Sequence, residues 1–267
     1  MNTTCEAPAS VARVVSPALH LPVMQGVIDR RMLVNFRVRP AELAPLLPPP
    51  FRPQAVNGWG MAGLCLIRLC AVRPRGLPAW FGVRSENAAH RIAVEWDDGG
   101  TTRGGVYIVR RDTGSWLNRL AGGRVFPGEH HAAVFQVWES AERFKLEMKS
   151  RDGSVSLRVA ARLADEWQGG SVFASLDECS EFFRRGAVGW SPCGTRVGLR
   201  PPARSDGLEL RCDSWHVEPL VGELVESSFF ENRAVFPPGT VEFDNALLMR
   251  SVPHEWHAKG RMDTGTL

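Results

Sequence analysis

HRIAVEWDDGGTTRGGVYIVRR, residues 90–111, decides how this chain folds. Ile, Val, Trp and Tyr recur on both sides of Asp97-Asp-Gly-Gly100, and glycine supplies the positive φ angles of a tight turn. Residues 90–96 and 105–111 therefore read as an antiparallel hairpin. Residues 144–150 and 155–163 repeat the pattern around Arg151-Asp-Gly-Ser154. Working outward, residues 25–39 (with Val27, Ile28, Met32, Leu33, Val34 and Phe36), 59–72, 208–216, 220–230 and 241–252 also read as strands. The 59–72 run carries too much Leu, Ile, Val and Cys for an exposed edge.

Helices are few and short. Pro40 opens one over residues 41–47, which Pro48, Pro49 and Pro50 close, and residues 115–120 allow one or two turns. Residues 176–185 (LDECSEFFRR) are the best helix, with Leu176, Cys179, Phe182 and Phe183 on one face and Asp177 and Glu178 in the first turn. Eight or more strands with two or three short helices predict a predominantly antiparallel or mixed β architecture of the α+β class. It is expected to be one barrel-like domain over residues 23–257, with a ligand cavity at one end. Residues 1–22 read as a loose arm and 258–267 as a disordered tail.

Composition narrows the function. The chain has 267 residues, 44% of them hydrophobic, enough for a substantial core, and its net charge of +3 is spread without a basic block. Neither nucleic acid nor membrane is expected as a partner. The first 22 residues lack a basic segment followed by an apolar run, so a cytoplasmic protein is expected. Six cysteines (5, 65, 70, 179, 193, 212) without a CxxC pair read as free thiols. Gly104-Gly105 and Gly122-Gly123 are not dinucleotide fingerprints, no G-x-S-x-G elbow occurs, and His254-Glu-Trp-His257 is not HExxH. No metal and no cofactor is expected.

Polar residues of catalytic type are densest between Glu86 and His131. Candidates for acid/base work are Glu86, His90, Tyr107, His130 and His131; candidates for holding substrate are Arg91, Arg103, Arg111, Asp112 and Trp116. Alternation places His90, Ile92, Val94 and Trp96 on one side of their strand and Arg91, Ala93 and Glu95 on the other. An arginine among apolar neighbours is costly inside a sheet unless it is paired, and a substrate carboxylate is one partner that suits it. Glu95 or Asp112 would serve as a structural partner instead, and the sequence leaves both open. Tyr107, the only tyrosine, suits either a developing enolate or a satisfied core position. Consecutive His130 and His131 point to opposite faces of a strand, so one of them could reach the cavity as an acid or base, or both could lie at the surface. Trp59, Trp80 and Trp116 are candidates for an aromatic pocket wall.

The order strand, "VRPAELAPLLPPPF", glycine-bearing strand, "VRPRGLP", with "VEPLVGELVESSFFENRAVFPPGTVEFDNALLMR" near the end, resembles the acetoacetate decarboxylase-like superfamily. The likeness spans residues 24–256 and is strongest to a large bacterial branch without assigned activity, a domain of unknown function. It implies a barrel with a small-molecule cavity, and it allows association into a homo-oligomer. In the decarboxylases of that superfamily a lysine after the second strand of the 90–111 hairpin forms a Schiff base with a keto acid. The corresponding stretch here, RDTGSWLNRL (residues 111–120), has none, and the chain's only lysines are Lys145, Lys149 and Lys259. The expected function is thus an enzyme for a carboxylate or keto-acid metabolite that uses arginine for the anion and His, Glu or Tyr for the proton. Decarboxylation, dehydration, isomerisation and cyclisation all pass through an enol or enolate of this kind. The alternative is a small-ligand-binding protein without turnover.

Overall fold

The computed structural model describes residues 14–15, 22–116, 127–193 and 204–263. The expected turns at 117–120 and Gly122-Gly123 lie outside them. The long strands of the first half are β2 (Met24–Val38), β5 (Trp59–Pro74), β6 (Val83–Asp98) and β7 (Thr101–Thr113), with short β1 (Val14–Val15), β3 (Arg52–Pro53) and β4 (Ala55–Val56). The remainder are β8 (His130–Glu139), β9 (Arg143–Ser150), β10 (Ser156–Leu163), β11 (Val188–Pro192), β12 (Arg204–Cys212), β13 (Glu218–Ser227) and β14 (Val241–Asp263). Pro40 opens a single helical turn, α1 (Pro40–Leu43), which a 3₁₀ turn (Ala44–Leu46) extends.

Both hairpins form. β6 and β7 turn at Gly99 and Gly100, whose φ angles of +55° and +83° suit the two-residue hairpin turn. β9 and β10 pair from Lys149↔Ser156 to Arg143↔Arg162. The expected helix is α2 (Leu176–Arg185). Ser175 accepts the Glu178 amide at 3.2 Å, acidic residues fill the first turn, Arg184 and Arg185 close the last, and Cys179 and Phe183 are buried.

Two closed circuits of hydrogen-bonded strands result. β6, β7, β8, β9, β10, β13, β14, β2 and β5 pair in one ring; β7, β11, β12, β14, β2, β5 and β6 pair in a second. The five strands β14, β2, β5, β6 and β7 form the wall common to both. That wall is buried on both faces, so its strands are apolar at successive positions rather than at every second one. Met32, Val34, Leu64, Leu66, Ile92 and Val94 face a core inside the nine-stranded ring. Leu33, Cys65, Leu69, Ala89 and Ala93 face the other way, toward α2 and the seven-stranded ring.

The ends differ from expectation. β14 runs six residues past position 257 to Asp263 and pairs with β12, and β1 pairs with it through Val14↔Met262 and Val15↔Arg261. Sheet pairing thus reaches residues 258–263 of the expected disordered tail and two residues of the expected arm. The arm's residues 1–13 and 16–21 and the tail's 264–267 lie outside the described residues. β8 and β11, absent from the sequence reading, supply the only parallel pairings among the described residues, both against β7.

Candidate functional site

On the α2 side of the common wall lies a cavity of about 140 Å³, bounded by β2, β5, β6, β7, β11, β12, β14 and α2. Its lining is mainly apolar, and three arginines enter it. Arg31, Arg91 and Arg111 each come from a different strand of the wall.

Arg91 stands in register with Gly63 on β5, which stands in register with Asn35 on β2. The glycine leaves room for the guanidinium to reach across it. Arg91 Nη2 donates to Asn35 Oδ1 at 2.5 Å, Asn35 Nδ2 donates to Asn245 Oδ1 at 2.7 Å, and the Arg91 guanidinium sits 4.7 Å from the Phe183 ring of α2. At the end of this amide chain Asn245 Nδ2 donates to Asp244, which also accepts from Ser171 and the Val172 amide. Arg91 Nε, buried, has no partner among the described residues.

Arg111 turns the opposite way, where Nη2 donates to Ser191 Oγ of β11 at 3.1 Å and Nε has no partner among the described residues. A side chain at Gly128 (φ +88°) would come within 3.7 Å of that Nε and 2.9 Å of Ser191 Cβ, so glycine keeps the corner open. Arg31 Nε lies 3.4 Å from Cys65 Sγ, and its guanidinium sits 5.6 Å from the Trp215 ring. Among the described residues none of the three arginines makes an ion pair. Burial lowers Arg91 and Arg111 to about 10, which leaves both charged at neutral pH.

His130 lines the cavity too, in register with Arg111. Its Nδ1 lies 3.2 Å from the Gly128 carbonyl oxygen, which can only accept, so the neutral ring carries its proton on Nδ1. Burial, reinforced by the Arg111 charge, lowers His130 to about 3. Asp112 reaches the cavity wall but is clamped by Arg110 through two bonds of 2.8 Å. Of the ten residues singled out from sequence, the structure gathers Arg91, Arg111, Asp112 and His130.

The other six lie elsewhere. His90, fully buried, is on the opposite face of β6, 4.8 Å from the Phe229 ring, and neither ring nitrogen has a partner among the described residues. Glu86, also on that face, belongs to an ion network with Arg30 (2.7 Å) and Arg68 (2.5 Å), both of which also hold Glu139. Tyr107 packs in an aromatic cluster with Phe51, whose ring is 5.4 Å away. His131 sits 3.3 Å from Asp152 in a part-exposed pair. Arg103 is exposed near Asp98 at the hairpin end, and Trp116 is 69% exposed. The structural pairings open to Arg91 are taken by others, since Glu95 pairs with Arg52 and Asp112 with Arg110. Trp80 is stacked on Phe81 in solvent and Trp59 lies under Arg39; the tryptophans at the cavity are Trp215 and Trp256.

None of the three lysines lines the cavity. Lys145 pairs with Glu147 at 3.0 Å, Lys259 with Glu209 at 3.2 Å, and Lys149 borders a surface depression. No three His, Cys, Asp or Glu side chains among the described residues cluster as metal ligands, and no described helix is long and apolar enough to cross a membrane.

Residues 28–187, more than half of the chain, match the family DUF2071, described as an uncharacterized conserved protein. No curated protein matches. Among solved structures, the enduracididine biosynthesis enzyme MppR complexed with pyruvate is similar at 11% identity and a TM-score of 0.59, over 94% of this chain and 92% of that one. An acetoacetate decarboxylase-like enzyme from Sphingomonas wittichii RW1 is similar at 13% identity and a TM-score of 0.57, over 100% and 99%. Acetoacetate decarboxylase from Legionella pneumophila is similar at 9% identity and a TM-score of 0.57, over 97% and 92%. At such identities the shared property is the fold.

Proposed function

The chain belongs to the DUF2071 family, built on an acetoacetate decarboxylase-like fold, and we propose that it is an enzyme that binds a small keto carboxylate in the arginine-lined cavity and moves a proton next to its carbonyl. One observation carries the reading: three arginines that have no carboxylate partner among the described residues enter one small cavity. Unpaired guanidiniums out of water are costly, and an incoming carboxylate satisfies them with charge-assisted, paired hydrogen bonds. The pyruvate bound by MppR, on the same fold, supports a keto acid as the class.

The chemistry follows from what the cavity holds. Arginines there stabilise negative charge as it moves from carboxylate or α-carbon onto the carbonyl oxygen. Among the described residues His130 is a neutral imidazole placed beside Arg111, and a bound anion offsets the Arg111 charge and raises its basicity. No lysine is in position for an imine. Borohydride added with pyruvate or acetoacetate is therefore expected to leave the protein mass unchanged, and a reduced adduct on Lys145, Lys149 or Lys259 would overturn that part of the reading. Free thiols at all five described cysteines support a cytoplasmic setting.

The direct test is deuterium exchange into the C3 position of a panel of 2-oxo acids, followed by proton NMR. The protein is expected to speed exchange over buffer, and His130→Asn to slow it by about 10²-fold or more while ligand binding persists. Binding without exchange in the parent protein would instead establish a holding role, which the strong lowering of His130 favours as the second reading.

A further inference from the structure

Resting on that reading of the cavity, we propose that its ligand is a linear dicarboxylate of four or five carbons, with one carboxylate seated at Arg91 and the other at Arg111.

The two arginines leave the wall from neighbouring strands and then diverge. Arg111 is in register with Ala89, and Arg91 with Ile108, so their backbones are diagonal neighbours on β7 and β6. From there Arg91 crosses Gly63 to its anchor Asn35 on β2, while Arg111 runs to its anchor Ser191 on β11. In the order β2-β5-β6-β7-β11 those anchors are four strand steps apart. At about 4.8 Å per step that is roughly 19 Å along the curved wall, and the curvature brings the two heads to opposite sides of one cavity. Separate anchors on β2 and β11 give each head its own side of the ring. Each head also keeps a buried Nε without a partner among the described residues, so each is an incomplete seat for an anion of its own.

Charge agrees. Arg31, Arg91 and Arg111 enter the cavity, and the carboxylate at its edge, Asp112, is already neutralised by Arg110. The undescribed segments 117–126 and 194–203 contain no Asp or Glu, and Glu6 is the one acidic side chain outside the described residues. A monoanion would leave one seat unfilled; a dianion fills both. Size agrees as well, since about 140 Å³ is close to the ~150 Å³ cavity that admits a benzene-sized ligand, and the apolar wall between the seats, Ala89 and Ile108, suits a short methylene chain.

Calorimetry with matched pairs tests this: succinate against butyrate and 2-oxoglutarate against 2-oxopentanoate, at constant ionic strength. The dicarboxylate of a pair is expected to bind about tenfold or more tighter, the worth of one added charge-assisted contact. Arg91→Met and Arg111→Met should each bring the pair to within about twofold, because either change removes one seat. Both substitutions delete a buried charge that lacks a carboxylate, so the variants should fold; Arg91→Gln and Arg111→Gln repeat the test should the methionine forms precipitate. Equal or tighter binding of the monocarboxylate by the parent protein overturns the dicarboxylate while leaving the keto-carboxylate cavity standing. Failure of every carboxylate to bind overturns both.

Discussion

Lowering the pH from 7.5 to 5 is expected to remove up to about 6 kcal/mol from the stability of this fold. Burial lowers His90 and His130 to about 3 and His254 to about 4, against an ordinary value near 6.5. At pH 5 the unfolded chain has taken up protons on all three that the folded chain still refuses, so stability falls as the pH falls from about 6.5 toward the folded values. One pKa unit is about 1.4 kcal/mol, which makes each histidine worth up to about 2 kcal/mol at pH 5. That sum is comparable to the whole stability of many domains. Carboxylates contribute mainly below this window, so acidification to pH 5 isolates the histidines. Urea midpoints at pH 7.5 and 5, for the parent and for His90→Phe, measure the effect. His90 has two partnerless nitrogens beside Phe229 and Phe230, so phenylalanine should stabilise the protein at pH 7.5 by about 1–3 kcal/mol. It should also cut the acid loss by about 2 kcal/mol. A variant with the parent's full acid loss would sink the idea that His90 folds in its neutral form.

The same histidine shows where reading from sequence stops. Hairpins and the α2 helix are local, and their turn glycines, caps and periodicity announce them. β8 and β11 each pair antiparallel with the strand that follows, β9 and β12, but their parallel pairing to β7 is not announced by any local turn. The site suffers from a further ambiguity. Alternation separates His90 and Glu86 from Asn87, Ala89 and Arg91 without difficulty, yet both faces of β6 are buried, so the pattern does not say which face meets a cavity and which a packed core. Ring closure decides that, through contacts distant in sequence such as His90 with Phe229 on one face and Arg91 with Phe183 on the other. Arg91 and Arg111 stood out as arginines within apolar strands. Arg31 carried the same signal inside "DRRMLVNF", where Arg30 and Arg31 point to opposite faces, one into the Glu86 network and one into the cavity. Asn35, Ser191 and Trp215 had no signal of their own, because each matters only through the guanidinium it meets.

Gly63→Ala is the second large effect, and it joins fold to site. A Cβ at residue 63 would stand 2.4 Å from the Val34 carbonyl oxygen and 3.2 Å from both Cα and Oδ1 of Asn35. All three belong to the β2 backbone or to the side chain that anchors Arg91, and β2 is pinned on its other edge by β14, so no flexible group can give way. Overpacking of this kind costs about 3 kcal/mol or more, because two central strands must part to relieve it. Gly153→Ala is the control: its φ of +72° strains any side chain, but nothing lies within 4 Å of the added carbon. That change costs about 1–2 kcal/mol, from conformation alone. The urea midpoint of Gly63→Ala should therefore fall well below that of Gly153→Ala. Its carboxylate affinity, measured where it remains folded, should fall as well, since displacing Asn35 unseats Arg91, whereas Gly153→Ala should bind as the parent does. Equal stability of the two variants would mean that β2 and β5 do not approach as closely as their register requires. Lost stability with unchanged carboxylate binding would mean that Arg91 holds its position without Asn35.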